Sequence, residues 1–201
     1  MKLRIFQYGD PILRAKGKRV ENIDEHIREM AQNMIETMQA ANGVGLAAQQ
    51  VGEAIQLTVL DISQSEDRPS GMKSNGQEVD LKAAMPLVLI NPAIELGRET
   101  ERGTEGCLSF PEITGEIDRS KSIMVRAQNL EGKMVEFEAS GLLARAIQHE
   151  VDHLNGVLFI DRMSSAAKVG LSSRLKRLQK ETQGGHRARL QDPQLQTETA
   201  L

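Results

Sequence analysis

The chain has 201 residues, of which 39% are hydrophobic and 26% are charged, and its formal net charge is −3. These values are typical of a globular domain with its own core, and the single cysteine excludes an intrachain disulfide framework. The acidic balance and the few aromatic residues argue against nucleic acid as a main partner. Because the sequence has no long apolar run and residues 1–14 show no secretory signal, we expect a cytoplasmic protein without a membrane span.

The first predicted helix covers about residues 24–41, with Asn22 or Asp24 as its N-cap and Asn42-Gly43 at its end. Its apolar residues recur at helical spacing and are Ile27, Met30, Met34, Ile35, Met38 and Ala41. Residues 55–62 are rich in β-branched and apolar side chains, so they predict a strand.

The middle of the chain predicts a loop followed by strands. Residues 63–84 are polar and contain proline and glycines, which favours a loop. The apolar run 87–90 predicts a strand. Residues 116–127 and 133–139 predict two further strands around a turn at 129–132.

The last third of the chain predicts two helices and a polar tail. The second helix covers about residues 141–155, and the third covers about 166–182 and ends at Gly184-Gly185. The residues of the third helix predicted to face inward are Val169, Leu175 and Leu178. We therefore expect one domain over residues 1–183 and a disordered tail over 184–201.

The strongest chemical signal is the sequence His149-Glu150-Val151-Asp152-His153. Residues four apart on a helix differ by about 40° in direction, so both imidazoles can reach one metal ion. Glu150 lies beside that ion, where a carboxylate can move a proton to or from water. The simpler interpretation is an exposed helix that happens to carry two histidines.

A catalytic metal needs a third protein ligand and one open position. In one protease pattern the third ligand is a histidine six residues after the second one. Phe159 occupies that position here, and its side chain cannot bind a metal. Glu181 is a second candidate, although its basic neighbours favour a solvated charge pattern. Cys107 is the remaining candidate, because a cation ionises a thiol and Gly106 would allow close approach; a lone cysteine is otherwise a small buried hydrophobe.

The glycine-rich segment 43–50 has three interpretations. Gly43, Gly45 and Ala48 fit a dinucleotide-binding fingerprint, but the segment follows a helix where that fingerprint requires a strand. It can also be a simple turn. We favour a wall along which an extended peptide pairs with the backbone, with Gln50 as a hydrogen-bond donor.

Taken together, three ordered motifs resemble the peptide deformylase family. They are Gly-x-Gly-aliphatic-Ala-Ala-x-Gln at 43–50, Glu-Gly-Cys-Leu-Ser at 105–109 and Gln-His-Glu-x-x-His at 148–153. The segments 9–14 and 141–146 also resemble the family, and the match spans about residues 4–180. The resemblance implies an α+β fold in which antiparallel β-sheets wrap around a central helix that carries the metal motif, with a C-terminal helix.

The resemblance also implies a metal site and a reaction. Cys107, His149 and His153 would hold one Fe²⁺, with Zn²⁺, Ni²⁺ or Co²⁺ as substitutes. The enzyme would remove formate from the N-formylmethionine of new polypeptides, with metal-bound water attacking the formyl carbon and Glu150 as general base and acid. Gln50 and the Leu108 backbone N–H would hold the oxyanion.

The expected substrate-binding residues form a pocket for methionine and the peptide behind it. They are Gly43, Val44, Gly45, Gly106, Arg119, Leu142 and Ala146. Expected partners are N-formylmethionyl nascent peptides and, through the C-terminal region, the ribosome. The weak basic bias of 171–201 is compatible with such a contact. The long loop 63–84 departs from short family members and is expected to alter the surface only.

Two rival functions differ in the ligands of the metal. A metalloendopeptidase would cleave internal peptide bonds and use a third ligand other than Cys107. A binding protein with a closed structural site would need a fourth protein ligand. His26 and His186 lie in separate segments. Asp152 could be recruited, but it projects about 60° back from His149 on the helix, and we expect it to be a salt-bridge partner instead.

Overall fold

The computed structural model describes residues 1–65 and 67–191, with side chains described as far as residue 185. Within these residues, none of the helices has the length and apolar character that a bilayer crossing requires. The helices are α1 (Glu25–Ala40), α2 (Leu81–Ala84), α3 (Gly141–Leu154), α4 (Phe159–Arg162) and α5 (Ser165–Gln191). Short 3-10 turns cover Pro11–Arg14 and Ala48–Val51.

Within the described part of the chain, nine strands form two antiparallel sheets. They are β1 (Gly45–Ala47), β2 (Leu57–Leu60), β3 (Ser70–Ser74), β4 (Gln77–Glu78), β5 (Leu87–Leu96), β6 (Thr100–Gly106), β7 (Thr114–Ser120), β8 (Ser122–Gln128) and β9 (Met134–Ser140). The larger sheet has the order β1-β2-β5-β8-β9-β3-β4, and β6 pairs with β7 in the smaller one. The predicted α+β fold with antiparallel sheets and a C-terminal helix is confirmed.

Helix α3 lies at the centre, and strands of both sheets contact it. Every residue of α3 except Gly141 and Val151 is buried. Leu143 and Ile147 are fully buried in an apolar cluster with the inner faces of β8 and β9. The histidines and Glu150 on the same helix are therefore also enclosed by protein, where ionisable groups require partners.

The predicted strand 116–127 is wrong as one element, because the chain changes sheets at Lys121. The side chain of Gln148 on α3 explains the break. Its Oε1 accepts a hydrogen bond from the Ser120 N–H at 3.0 Å, and its Nε2 donates to the Ser120 carbonyl at 2.9 Å. With both backbone groups of Ser120 bound to a helix, the strand leaves the small sheet there.

The prediction of a loop throughout 63–84 is also wrong, because this segment contains β3, β4 and α2. Strand β3 pairs with β9, with Met72 opposite Ala139. Its sequence is mainly polar, and only Met72 on β3 is buried. Backbone pairing with a neighbouring strand therefore decides its conformation more than its own apolar pattern does.

The predicted first helix is confirmed as α1, with Asp24 as the N-cap that accepts a hydrogen bond from Ile27 N–H at 3.1 Å.

The predicted end of the third helix is wrong, because α5 continues through Gly184-Gly185 to Gln191. Glycine costs about 1 kcal/mol within a helix but does not forbid it. The remaining predicted tail, 192–201, lies outside the described residues. Val169, predicted to face inward, is 73% exposed.

Candidate active site

Three ligand-bearing side chains converge between α3 and the end of β6. Cys107, His149 and His153 each offer one ligand atom, and these atoms lie within 4.8 Å of one another. The Cys107 Sγ and the His153 Nε2 are 3.3 Å apart. Both histidines project from one face of α3, while Cys107 directly follows β6, which brings it in from the opposite side.

Glu105 orients the first histidine. Its Oε2 lies 3.0 Å from Nδ1 of His149, which leaves Nε2 of that ring free for a metal. Two arginines bind the same carboxylate, Arg119 through Nε at 2.9 Å and Arg145 through Nη1 at 2.9 Å. Burial raises the pKa of Glu105, but the hydrogen bonds from His149 and Arg119 outweigh it and hold the pKa at about 2. Glu105 is therefore a permanent carboxylate.

A second buried carboxylate extends this network. Asp152 accepts hydrogen bonds from Arg119 and, at 2.6 Å, from Nη2 of Arg162. It lies away from the three ligand atoms and acts as the predicted salt-bridge partner. Arg119 was expected at the pocket, but it lies behind the site and joins Glu105 to Asp152.

The pKa values of the two histidines shift in opposite directions. Burial lowers the pKa of His149, but hydrogen bonds to the Cys107 sulfur and to Glu105 outweigh it and raise the pKa well above its usual range. Burial and the neighbouring His149 lower the pKa of His153. His153 is thus kept in the neutral form, which is the form of imidazole that binds a metal. One soft sulfur and two imidazole nitrogens fit Fe²⁺ or Zn²⁺.

The position of Glu181 excludes it as the third ligand of this group. Glu181 is exposed on α5 and lies 3.9 Å from Arg177, so it is part of a surface ion pair. Among the residues whose side chains are described, Cys107, His149 and His153 form the one group with metal-ligand spacing, and no fourth ligand joins them. Three protein ligands are typical of a catalytic site with an open position and argue against a closed structural site.

Glu150 lies beside the three ligands with its carboxylate in the interior. Its Oε2 is buried and has no hydrogen-bond partner among the described residues. Burial raises the pKa of Glu150 to about 7, a value suited to both accepting and releasing a proton near neutrality. Gly45 makes room for it, because a Cβ at Gly45 would lie 2.8 Å from the Glu150 carboxyl carbon.

Gln50 is fixed in one orientation. Its Oε1 accepts a hydrogen bond from the Ala47 N–H at 2.8 Å, so its Nε2 must face the other way. That nitrogen lies 3.2 Å from the Ser109 Oγ and 3.5 Å from the Cys107 Sγ. No described acceptor binds the nearby backbone N–H of Leu108. The Leu108 N–H is therefore available beside the ligand cluster, and the Gln50 Nε2, which donates to Ser109 and Cys107, faces the same cluster.

A cavity of about 470 Å³ opens onto these groups. It lies between β1, the edge strand of the large sheet, and β6 of the small one. The predicted substrate residues that line it are Gly43, Val44, Gly45, Gly106, Leu142 and Ala146. The cavity is also lined by Gln50, Cys107, Leu108, His149 and Glu150. Of the segment 43–50, Gly43, Val44, Gly45 and Gln50 line the cavity, and its role as a wall for an extended peptide stays a prediction.

The sequence interpretation missed three residues of this site, which are Glu105, Arg145 and Ser109. Glu105 stands within a recognised motif, two residues before Cys107, and a buried carboxylate so close to a metal ligand is a common partner for a ligating histidine. Arg145 precedes His149 by one helical turn on α3, and this spacing could have identified it. Ser109 gave no comparable signal.

Comparison with known proteins agrees with this geometry. The family model described as polypeptide deformylase matches residues 2–169. A peptide deformylase of Opitutus terrae is 45% identical over 184 residues, covering 90% of this chain and 95% of the relative.

Solved structures are similar as well. The crystal structure of peptide deformylase from Thermotoga maritima is 47% identical, covers 82% of this chain and 99% of its own, and has a TM-score of 0.69. The peptide deformylase of Synechococcus elongatus in complex with actinonin is 38% identical, with coverage of 88% and 85% and a TM-score of 0.73. The resemblance seen in the three motifs is thus confirmed, and the chain belongs to the peptide deformylase family.

Proposed function

We propose that the cleft hydrolyses the formamide bond of N-formylmethionine at the start of new polypeptides and releases formate. The observation that carries this function is Glu150, a buried carboxylate beside a three-ligand metal group at the end of a peptide-sized cavity. Membership of the peptide deformylase family supports the same reaction.

Cys107, His149 and His153 would hold one divalent ion, for which we propose Fe²⁺, with Zn²⁺, Ni²⁺ and Co²⁺ as substitutes. When bound, such an ion supplies Lewis acidity that activates water and polarises a carbonyl oxygen. Glu105 would support the ion indirectly, because it fixes the ring of His149 through Nδ1.

Glu150 would carry the proton in both halves of the reaction. Its carboxylate would accept a proton from the water that attacks the formyl carbon and then deliver it to the nitrogen of the leaving amine. The pKa of about 7 supports both steps, since the group can be deprotonated before attack and protonated after it.

Gln50 Nε2 and the Leu108 N–H would stabilise the negative charge that develops on the formyl oxygen. The hydrogen bond from Ala47 to Gln50 Oε1 supports this role, because it holds the donor toward the cluster without reorganisation.

The substrate would bind as an extended chain against the free edge of β1, with backbone hydrogen bonds to Gly45. Its methionine side chain would enter the part of the cavity lined by Val44, Leu142 and Ala146, which offers apolar contacts to a linear side chain.

The primary test is formate release from formyl-Met-Ala-Ser by protein prepared without oxygen and loaded with Fe²⁺ or Ni²⁺. We expect turnover by the wild type and its loss in Glu150→Gln, with equal metal content in both proteins. Actinonin, which is bound in the Synechococcus elongatus structure, should compete with the peptide. Internal cleavage products without formate would favour a metalloendopeptidase instead.

We also propose that the C-terminal region contacts the ribosome in the cytoplasm. The part of α5 whose side chains are described carries Lys168, Arg174, Lys176, Arg177 and Lys180, with Glu181 as its acid. Deletion of 184–201 should weaken co-sedimentation with ribosomes and leave turnover of the peptide unchanged. Unchanged co-sedimentation would contradict this contact.

A further inference from the structure

One cation at the mouth of the cavity has no role in the chemistry above. Arg68 lies in the segment that connects β2 to β3, and it lines the cavity together with Leu142 and Arg145. A smaller depression at the start of α3 is lined by the same three residues. Arg68 therefore lies on the side of the cavity formed by the first turns of α3.

The backbone next to Arg68 is attached to α3. The Pro69 carbonyl accepts a hydrogen bond from the Leu142 N–H at 2.9 Å, and Ser70 forms a β-bridge with Gly141. Gly141 has a φ of +62°, and a Cβ there would lie 2.8 Å from the Pro69 carbonyl carbon. A glycine thus permits the close approach that holds Arg68 beside the cavity.

Arg68 also differs from the other cavity arginine in its charge partners. Arg145 is buried and pairs with Glu105 at 2.9 Å. Arg68 is exposed, and its guanidinium forms no ion pair or side-chain hydrogen bond with any residue whose side chain is described. It is therefore a cation at the cavity rim that is available to a ligand.

The geometry of an extended peptide indicates which substrate residue meets this cation. Side chains of an extended chain alternate in direction, so the first and third residues point to the same side. With methionine directed at Leu142 and Ala146, the third residue points toward the same side about 7 Å farther along. Arg68 and Leu142 line both this cavity and the smaller depression at the start of α3, so the third residue is directed toward the side of the cavity that carries Arg68.

We propose that Arg68 determines specificity by favouring an acidic side chain at the third position of the formylated peptide. This inference rests on the proposed deformylase function and adds a sequence preference to it. An exposed ion pair supports a preference of about two- to fivefold for aspartate over lysine. The preference should decrease in high salt, because the pair is accessible to ions.

The test compares kcat/KM for formyl-Met-Ala-Xaa-Ala amides in which Xaa is aspartate, asparagine or lysine, with metal-loaded enzyme. Wild type should prefer aspartate over lysine, Arg68→Ala should lose the preference, and Arg68→Glu should reverse it. The matched control is Arg98→Glu, which changes the net charge equally at an exposed residue outside the cavity lining and should keep the wild-type ratio. Peptides with the charge at the second position should show a smaller ratio.

Equal kcat/KM for the aspartate and lysine peptides with wild type would overturn the inference, and so would an unchanged ratio in Arg68→Glu. An equal change of the aspartate-to-lysine ratio in Arg98→Glu and Arg68→Glu would also overturn it, because the net charge of the protein would then be sufficient to explain the preference. If wild type released no formate from the neutral asparagine peptide, the proposed function itself would fail, and this inference with it.

Discussion

The backbone of Gly45 on β1 lies directly beside the side chain of Glu150 on α3. A Cβ at Gly45 would lie 2.8 Å from Cδ and 2.9 Å from Cγ of Glu150, so a larger residue would displace the whole carboxylate side chain. The edge strand that would bind the peptide therefore also defines where the proton-transfer group lies.

Gly45→Ala should reduce kcat by about 100-fold, because a small displacement of a catalytic group has a large effect on rate. Metal content should remain at the wild-type level, since the atoms nearest to the added Cβ all belong to Glu150, which is not a metal ligand. The measurement is formate release under single-turnover conditions together with metal analysis of the same sample. Wild-type kcat in this variant would show that Glu150 need not occupy its observed position.

Gly170→Ala is the matched control for this change. Gly170 lies in α5, and a Cβ there would meet no atom within 4 Å. The variant should keep wild-type turnover and gain about 0.5–1 kcal/mol in the free energy of unfolding, because alanine favours helix.

Gln50→Glu should lower kcat/KM by about 100-fold with metal retained. The new side chain can still accept the hydrogen bond from Ala47, but it loses the Nε2 donor and adds a negative charge near the Cys107 sulfur. Steady-state kinetics with the formylated peptide measures the loss. A comparable kcat/KM in the two proteins would exclude Gln50 as an oxyanion donor.

Glu105→Gln should decrease both stability and metal affinity. It leaves the buried Arg119 and Arg145 without their shared carboxylate, at a cost of about 3–5 kcal/mol in the free energy of unfolding. It also weakens the support of His149, which should reduce metal affinity by about 10- to 100-fold. Urea unfolding and metal titration against a competing chelator test the two effects.

Glu116→Gln serves as the control for that variant. Glu116 is an exposed carboxylate on β7, and its neutralisation should change the free energy of unfolding by at most about 0.5 kcal/mol. A similar loss in both variants would argue that overall charge, and not the buried network, is responsible.

Addition of Ni²⁺ to metal-free protein should raise its melting temperature. A ligand at about a thousand times its Kd stabilises the folded state by about 4 kcal/mol if it does not bind the unfolded chain. Cys107→Ser should lose most of this shift, and Mg²⁺ should produce none, because it prefers oxygen ligands. An equal shift in Cys107→Ser would exclude the thiolate as a ligand.

The ion pair between Asp161 and Arg14 should make stability depend on pH. Burial raises the pKa of Asp161, but the hydrogen bonds from Arg14 and from the Leu158 N–H outweigh it and lower the pKa below the ordinary 3.8. Since the folded pKa is the lower one, this stabilisation is present above the unfolded pKa and is lost as the pH falls through the folded value.

Asp161→Asn should therefore be less stable than wild type by about 1 kcal/mol near pH 6, with the difference shrinking toward pH 3. Urea unfolding of metal-free proteins across this range measures it. A difference that stays constant with pH would show that the charge of Asp161 does not contribute.

The sequence by itself determined the parts of this protein that depend on short spacings. The interval between His149 and His153 places two imidazoles on one helix face, and the periodic apolar residues of α1 define that helix. The three motifs were sufficient to indicate the family, and the basic neighbours of Glu181 already favoured Cys107 as the third ligand.

The tertiary structure decided what depends on residues distant in sequence. The contact between Glu105 and His149 spans 44 positions, and that between Arg119 and Asp152 spans 33. No local pattern encodes such pairs, because burial and electrostatic complementarity select them only when β6, β7 and α3 pack together. For the same reason, the burial of Arg119 behind the cleft became visible only in the folded chain.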